Sequence, residues 1–548
     1  MTVEVNVEEK FLERRDAMWK LLLEDQDYTA AAERASEILQ DASAFDAIHV
    51  AGLALTKLGH EEAFEWCCAS LSLAKAAARW YANCAKAFMD MEDFQRAMLF
   101  VQNGLEIYPE EVTLLYQRQL IFCNLRQWQD TIDAADDLLE IHPEFVHAVM
   151  TKGFALHMLR HYDEALACYM DIRDRTEGSD YEDVINNWSC LLMEQGKQDE
   201  ALEVLEKYCK EPDRKATVYN KSFIYLGMGR WPEGWHMYRT RETTGIIEKE
   251  KILPMLDRPF AKDLEDITGK SVFFFHEQGL GDDIMFIRYA SVLSKYVKKL
   301  IVGVPPSMAR LAGRLIMESD YEVLCGADFN LDKGQIAQAD YIIPMLDAPG
   351  VLQQTVDDIP NEPYFLPVPE ALVHKRSIER FCRPDALRVG ICWAGNSRPE
   401  NMRANSIDQR RSMTYEQMLP LIDQFQDRCD FISLQQSNYR VDDKRIIQPI
   451  GDDFDVLDTA AVIDQLHLVI TIDSSMAHLP AAFWKPTWML SRLDACWRWF
   501  WPKSEDDWFD SNTQWYPTMR IFRQREAGDW ASVIDRVSHG LQKLLDKR

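Results

Sequence analysis

No run of about 18 apolar residues occurs in this 548-residue sequence, so no helix that crosses a bilayer is expected. The opening MTVEVNVEEKFLERRD is polar and has no apolar core of a secretory leader, which makes the cytoplasm the expected location. Basic residues are in deficit: 61 Lys and Arg face 89 Asp and Glu, for a formal charge of -28. Nucleic-acid binding draws on clustered cations, so nucleic acid is not an expected partner. Twelve cysteines are present but none forms a CxxC pair; Cys67 and Cys68 are adjacent and the rest are scattered. Without an export signal that pattern predicts free thiols and no zinc site. What remains is 47% hydrophobic and 27% charged, a globular balance. The chain is long enough for roughly two to four domains.

A repeat organises the first half. Tyr28…Ala31, His60-Glu-Glu-Ala63, Phe94-Gln-Arg-Ala97, Trp128-Gln-Asp-Thr131, Tyr162-Asp-Glu-Ala165, Gln198-Asp-Glu-Ala201 and Trp231-Pro-Glu-Gly234 share one frame. Their small residues are spaced by 32, 34, 34, 34, 36 and 33 positions, and Pro109 and Pro143 also lie 34 apart. A small residue at that period lets paired helices approach closely, so each unit is expected to be a helix–turn–helix. The pattern resembles the tetratricopeptide repeat, whose stacked arrays form a superhelix with a concave face suited to a peptide. Trp66, Trp80, Tyr81, Trp188 and Tyr219 are expected to fill the cores between helices.

From about residue 246 short β-rich runs alternate with helical ones, the pattern of parallel α/β layers. Strands are expected at Ser271–Phe275, Leu300–Val304, Asp340–Pro344, Leu387–Trp393, Asp430–Leu434, Leu468–Ile472 and after Pro486. Helices are expected from Ile284 to about Lys298, from Ser307 to Ile316 and from Thr459 to Gln465. The proline-bearing stretch Asn361–Pro369 reads as a linker between two α/β units, and two such units create a cleft. The expected domains are therefore 1–245, 246–370 and 371–548.

Two strand–turn–helix passages carry the chemistry. Ile472 ends an apolar run, and Asp473, Ser474 and Ser475 are all good N-cap residues ahead of a short helix containing His478. Free N–H groups and the positive helix end would meet there, which suits a phosphate or diphosphate. In Gln278-Gly279-Leu280-Gly281-Asp282 the glycines permit a close ligand approach, but the spacing is not GxGxxG, so a dinucleotide site is not indicated. Asp282 is the candidate general base, with Asp283 capping the following helix if Asp282 is catalytic. His276 is a second candidate base. Trp393, Gly395 and Asn396, in the turn after a strand, are candidate contacts to base, ribose or phosphate. Of Arg403, Arg410 and Arg411, in a polar segment read as a loop, one is expected to neutralise phosphate charge, with Arg411 preferred. No Asp-x-Asp is expected to bridge a metal to a diphosphate, since Asp452-Asp453 and Asp506-Asp507 are adjacent pairs; neither metal nor cofactor is anticipated.

Gln278-Gly-Leu-Gly-Asp282, Gly390-Ile-Cys-Trp-Ala-Gly-Asn396, Asp458-Thr-Ala-Ala461 and Ile472-Asp-Ser-Ser-Met-Ala-His478 together resemble the ADP-heptose:lipopolysaccharide heptosyltransferase family. The tail, Trp497-Arg-Trp499 with Trp515 to Gln524, is similar to the variant of that family bearing N-terminal tetratricopeptide repeats, and the domain order is similar to that of protein O-GlcNAc transferases. The resemblance implies a GT-B module of two Rossmann-like domains, the first on the acceptor side and the second on the donor side. It implies inverting, metal-independent transfer from a nucleotide-sugar to an acceptor hydroxyl, with Asp282 as base and Ser474, Ser475 and His478 at the diphosphate. The repeats would then recruit a protein or peptide acceptor. The alternatives are a repeat scaffold with a silent GT-B module, and a sugar transferase acting on modified nucleic acid bases or a glycan.

Overall fold

Helical repeats come first and two parallel sheets follow. The computed structural model describes residues 17–18, 20–41, 45–73, 77–209, 214–242, 258–318, 320–325, 336–398, 402–436, 439–501 and 510–547. Two compact units divide the chain, Met1–Leu191 and Leu192–Arg548.

The first unit is built from the helices α1 (Tyr28–Asp41), α2 (Phe45–Lys57), α3 (Ala63–Leu73), α4 (Ala78–Asp90), α5 (Phe94–Ile107), α6 (Val112–Asn124), α7 (Trp128–Ile141), α8 (Val146–Met158), α9 (Tyr162–Arg173) and the start of α10 (Gly178–Glu194). The second opens with α11 (Gln198–Tyr208), α12 (Lys215–Gly227) and α13 (Trp231–Tyr238). The repeating small residue is the fourth residue of α1, α5, α7, α9, α11 and α13 and the first of α3, and it is buried each time. The helix turns repeat as faithfully. Gln26, Gly59, Glu92, Arg126, Arg160, Gly196 and Gly229 all have φ between 53° and 77°. At most of these turns the next residue donates its N–H to a carbonyl five positions back, as Asp93 does to Phe88 at 2.9 Å and Gln127 to Phe122 at 3.0 Å. This is the Schellman closure of a helix C-terminus. The repeat signature is thus a signature of helix-turn-helix units.

Composition changes near residue 245, but the compact division falls earlier because the last repeat helices belong to the core of the second unit. Trp231 of α13 lies 5.5 Å from Trp515, and Trp235 lies 5.4 Å from Trp497 and 6.1 Å from Phe286 between ring centroids. The Trp501 N–H donates to the Gly227 carbonyl at 2.9 Å, closing the end of α12. Just after α13, Arg241 is fully buried, bidentate to Glu277 (2.7 and 2.9 Å) and bonded to Asp347 at 2.6 Å.

One sheet contains β1 (Ser271–Phe275), β2 (Lys299–Val304), β3 (Tyr321–Cys325) and β4 (Tyr341–Pro344), in the order β3-β2-β1-β4 and wholly parallel. The other contains β5 (Leu387–Cys392), β6 (Cys429–Ser433), β7 (Ile446–Ile447), β8 (Leu468–Ile472), β9 (Thr487–Ser491), β10 (Asp510–Thr513) and β11 (Tyr516–Arg523), in the order β10-β11-β9-β8-β5-β6-β7. Only the β10–β11 pair is antiparallel. Each sheet starts at a middle strand, winds to one side and then returns to the other, so each has a switch point, at β1/β4 and at β5/β8.

Helix α14 (Leu280–Phe286) begins four residues earlier than the sequence pattern predicts, and ends where Ile287 and Arg288 form a turn before Tyr289–Leu293. Gly279 is its extended N-cap, and Asp282 at its third position accepts the Gly279 N–H at 3.2 Å. The polar segment ending at Arg411 is a helix, α15 (Met402–Arg411), rather than a loop. With few apolar residues it offers no hydrophobic stripe to reveal it. It is followed by α16 (Tyr415–Phe425), α17 (Val456–Ile463), α18 (Ser475–Ala482) and α19 (Trp530–Asp546). The Asn361–Pro369 stretch is not a free linker: Tyr364 and Phe365 are buried, and the Tyr364 hydroxyl donates to the Ile284 carbonyl at 2.9 Å.

Candidate functional site

A cleft of about 1040 Å³ opens where the carboxyl ends of both sheets face each other. Its walls are the turn from β1 into α14, the turns after β5 and β6, the start of α17 and the turn from β8 into α18. These are the positions where open parallel sheets hold ligands.

Ser474 is the cap of α18. Its backbone is extended and its hydroxyl accepts the Met476 N–H at 3.2 Å, while Asp473 precedes it and Ser475 begins the helix. All three line the cleft. His478 lines it too, one turn further on, with Nδ1 3.0 Å from the Tyr516 hydroxyl and its ring stacked on Trp499 at 5.1 Å. Burial and the charges of Arg498 and Arg288 hold its pKa well below the usual imidazole value. The ring is thus fixed between Tyr516 and Trp499, and its surroundings disfavour the cationic form.

Gly279, Gly281 and Asp282 stand across the cleft. The second oxygen of Asp282 is bound to the Arg498 guanidinium at 2.6 Å. Arg498 lies 4.5 Å over the Trp497 ring, its Nη1 is 3.0 Å from Cys496 Sγ, and among the described residues its Nε has no hydrogen-bond partner. Asp282, not Asp283, is thus the capping carboxylate. Asp283 is buried, among the described residues its Oδ1 has no hydrogen-bond partner, and burial with the nearby charges of Asp282 and Glu277 raises its pKa well above the usual range. His276 does not join the cleft lining. It faces Asp283 at 4.0 Å, and burial lowers its pKa to about 4.

The turn after β5 divides the predicted residues. Gly395 and Asn396 line the cleft. Trp393 does not: it is 3% exposed, packed in the core of the second sheet against Tyr415. A bulky apolar side chain at a strand end completes the core beneath the turn, so Trp393 supports the site from below. Gln435 shapes this turn, because its Oε1 accepts from Cys392 Sγ (2.9 Å), Trp393 N (2.9 Å) and Ala394 N (3.0 Å). Nothing in the sequence marks Gln435 except its position just past a strand.

Arg411 lines the cleft with its Nε 3.0 Å from Asp408. Arg410 turns away to Glu194 (2.9 Å) and Asp494 (3.2 Å). The Arg403 side chain lies outside the described residues. Three further arginines that sequence reading passed over, Arg398, Arg492 and Arg498, also line the cleft. Two more are buried one side chain behind it: Arg288 stacks 4.4 Å from Tyr516, and Arg523 donates to the Trp499 carbonyl at 2.6 Å. In α17, which begins at the cleft, Asp458 is buried and receives Arg310 at 2.7 Å and Arg376 at 2.8 Å. Asp453-Phe454-Asp455 is an Asp-x-Asp passed over in the sequence; Asp453 is bonded to Arg376, while Asp455 caps α17 and binds Arg310. Among the described residues no three of His, Cys, Asp and Glu cluster as metal ligands. Among the described residues Asp282, Asp452, Asp455 and Asp473 share the lining with Arg398, Arg411, Arg492 and Arg498, so the cleft brings both signs of charge together.

No protein-family model matches the chain. It is similar to Protein FlbA of Caulobacter vibrioides (strain ATCC 19089 / CIP 103742 / CB 15), 23% identical over 491 residues that cover 84% of this chain and 72% of that protein. Among solved structures it is similar to a tetratricopeptide repeat protein from Parabacteroides merdae ATCC 43184 (18% identity, 45% of this chain and 98% of that one, TM-score 0.37). It is similar also to Pseudomonas aeruginosa pilF (16% identity, 39% and 99%, TM-score 0.31). Among the described residues no helix is long and apolar enough to cross a membrane.

Proposed function

We propose that the second unit is a glycosyltransferase of the GT-B kind, moving a sugar from a nucleotide-sugar to an acceptor hydroxyl, with residues 246–370 on the acceptor side and 371–548 on the donor side. The observation that carries this reading is the cleft itself: it lies at the carboxyl ends of two switch-point sheets and combines the capped start of α18 with Arg398, Arg411, Arg492 and Arg498. A helix start beside arginine forks suits a diphosphate. A volume of about 1040 Å³ is at the upper end for small-molecule clefts, which suits a nucleotide with its sugar.

In this mechanism the acceptor oxygen attacks the anomeric carbon in line, its proton passes to Asp282, and the bond to phosphate breaks with its electron pair on the departing nucleoside diphosphate. Arginine charge and the helix start stabilise that leaving group where its charge develops. No resident metal or cofactor is assigned a role. The repeats supply the acceptor, a protein or peptide in the cytoplasm.

One observation favours the rival reading of a silent module on a repeat scaffold: both Asp282 oxygens are engaged, one by Gly279 N–H and one by Arg498. A thermal-shift screen against ADP, GDP, UDP, CDP and TDP, with and without magnesium, separates the two. A metal-independent rise with one nucleotide supports the transferase. A flat response across all five overturns it in favour of the scaffold.

A further inference from the structure

We infer that Arg498 is shared between Asp282 and the diphosphate of the donor, so that donor binding is what frees the base. The inference rests on the transferase reading above and adds to it an order of events and a residue. Among the described residues four arginines line the cleft, and three of them differ from Arg498 in a way that matters. Arg411 is held by Asp408 on its own helix, Arg492 stands 3.5 Å from Asp494, and Arg398 is exposed on the turn after β5. Arg498 joins the two sides of the cleft through an ion pair: it comes from the segment after β9, and its carboxylate partner is on α14, which follows β1.

Its surroundings hold a cation with few strong partners. The guanidinium face rests on Trp497, Cys496 Sγ and the Gln278 amide oxygen (3.4 Å) are weak partners, and among the described residues the buried Nε has none. Asp282 is thus the one strong partner, and it is a poor match for a guanidinium fork because its other oxygen is committed to Gly279 N–H. A diphosphate offers several oxygens and more charge than one carboxylate, so it competes for this fork. When Arg498 turns to the diphosphate, the Oδ1 of Asp282 is released on the side of the cleft where an acceptor hydroxyl would arrive. The released oxygen accepts the hydroxyl proton while the acceptor oxygen bonds to the anomeric carbon and the nucleoside diphosphate departs with the bond's electrons, held by Arg498. Until the donor takes Arg498, the same ion pair and the Gly279 N–H engage both oxygens of Asp282.

Calorimetric titration of the full chain with the nucleoside diphosphate that raises the melting temperature of the wild type tests this. Asp282→Asn removes the competitor and is expected to bind that nucleotide about fivefold more tightly than wild type, the scale of a partly exposed ion pair. Arg498→Gln is expected to bind it at least tenfold more weakly, and Arg498→Lys to recover part of the loss. Circular dichroism on each variant checks that it is folded, and the tightening in Asp282→Asn is a gain that damage to the fold does not produce. Equal affinity of Asp282→Asn and wild type overturns the sharing while leaving the transferase reading intact. Failure of all five nucleotides to bind wild type overturns that reading and this one with it.

Discussion

Gly281 faces the ring of His478: a Cβ added to the glycine would stand 3.1 Å from the imidazole Cδ2 and 3.4 Å from the Ser475 Cα. Through this contact the first turn of α14 and the first turn of α18, which belong to different sheets, meet at the cleft. His478 has little room to retreat, because Tyr516 holds its Nδ1 and Trp499 stacks on its face. In an exposed helix, Gly→Ala gains about 1 kcal/mol; overpacking a fixed contact costs ~1–3 kcal/mol. Here the second effect wins. Gly281→Ala is expected to lower the urea midpoint, whereas Gly279→Ala, whose new Cβ meets nothing closer than 3.5 Å, is expected to leave it near wild type. Two glycines with the same apparent purpose in the sequence thus separate in a denaturation experiment.

The repeat turns yield a second test. Glu92 occupies the left-handed position that Gly59, Gly196 and Gly229 occupy in other repeats, with φ of 60° and an exposed side chain. A side chain there costs about 1–2 kcal/mol against glycine, part of which glycine returns through its freer unfolded chain. Glu92→Gly is expected to stabilise the first unit by about 0.5–1 kcal/mol. Gly196→Ala should do the reverse in thermal melts, and equal melting temperatures for both variants and wild type would contradict the argument.

The repeats were legible because one requirement, close helix approach at the fourth residue, recurs every 34 residues or so; Ala97, Thr131 and Ala165 each report it independently. The strands were legible as apolar runs with turn residues after them, and Asp473 to Ser475 show the cleft for the same reason. What escaped the sequence was long-range. The partner of Asp282 lies 216 positions away in the tail, and no local pattern connects Arg498 to it. Trp393 follows a strand, where a side chain can enter the core or the cleft, and only the packing of Tyr415 decides. The polar helix Met402–Arg411 has no apolar stripe because its surroundings are themselves polar, with Asn405 and Asp408 buried among hydrogen bonds.

Arg241 joins the end of the repeats to the base of the turn from β1 into α14. Glu277 sits immediately before Gln278, and its carboxylate also accepts the Leu346 N–H at 3.1 Å. Removing the arginine would leave Glu277 and Asp347 buried without their cation, and breaking one side of such a pair typically costs ~3–5 kcal/mol. Arg241→Met is expected to lower the guanidinium midpoint of the second unit by an amount of that order, and Arg241→Lys, which loses the bidentate fork, to fall between. A loss confined to a few tenths of a kcal/mol in Arg241→Met would mean that aromatic packing alone fastens the α13 end to the sheet.

Two aspartates should give pH dependences of opposite sign. Desolvation pushes the Asp458 carboxyl up, but hydrogen bonds with Arg376, with the side chain and backbone of Asp455 and with Arg310 outweigh it and lower its pKa to about 2. A free carboxyl titrates near ~3.9, so the folded state keeps Asp458 ionised where the unfolded state takes a proton. Its stabilisation is complete above pH ~4 and is lost as the pH falls towards about 2. Asp283 is the reverse case: burial raises its pKa, so the folded state keeps a proton that the unfolded state releases, and stability declines as the pH rises above ~3.9. Thermal melts of wild type, Asp458→Asn and Asp283→Asn between pH 3 and pH 8 test both. Asp458→Asn should melt below wild type at pH 7 and converge with it in acid, whereas Asp283→Asn should melt near wild type in acid and above it at pH 8. Parallel curves for Asp283→Asn and wild type across that range would mean that the buried carboxyl is ionised after all, with His276 at 4.0 Å as its counter-charge.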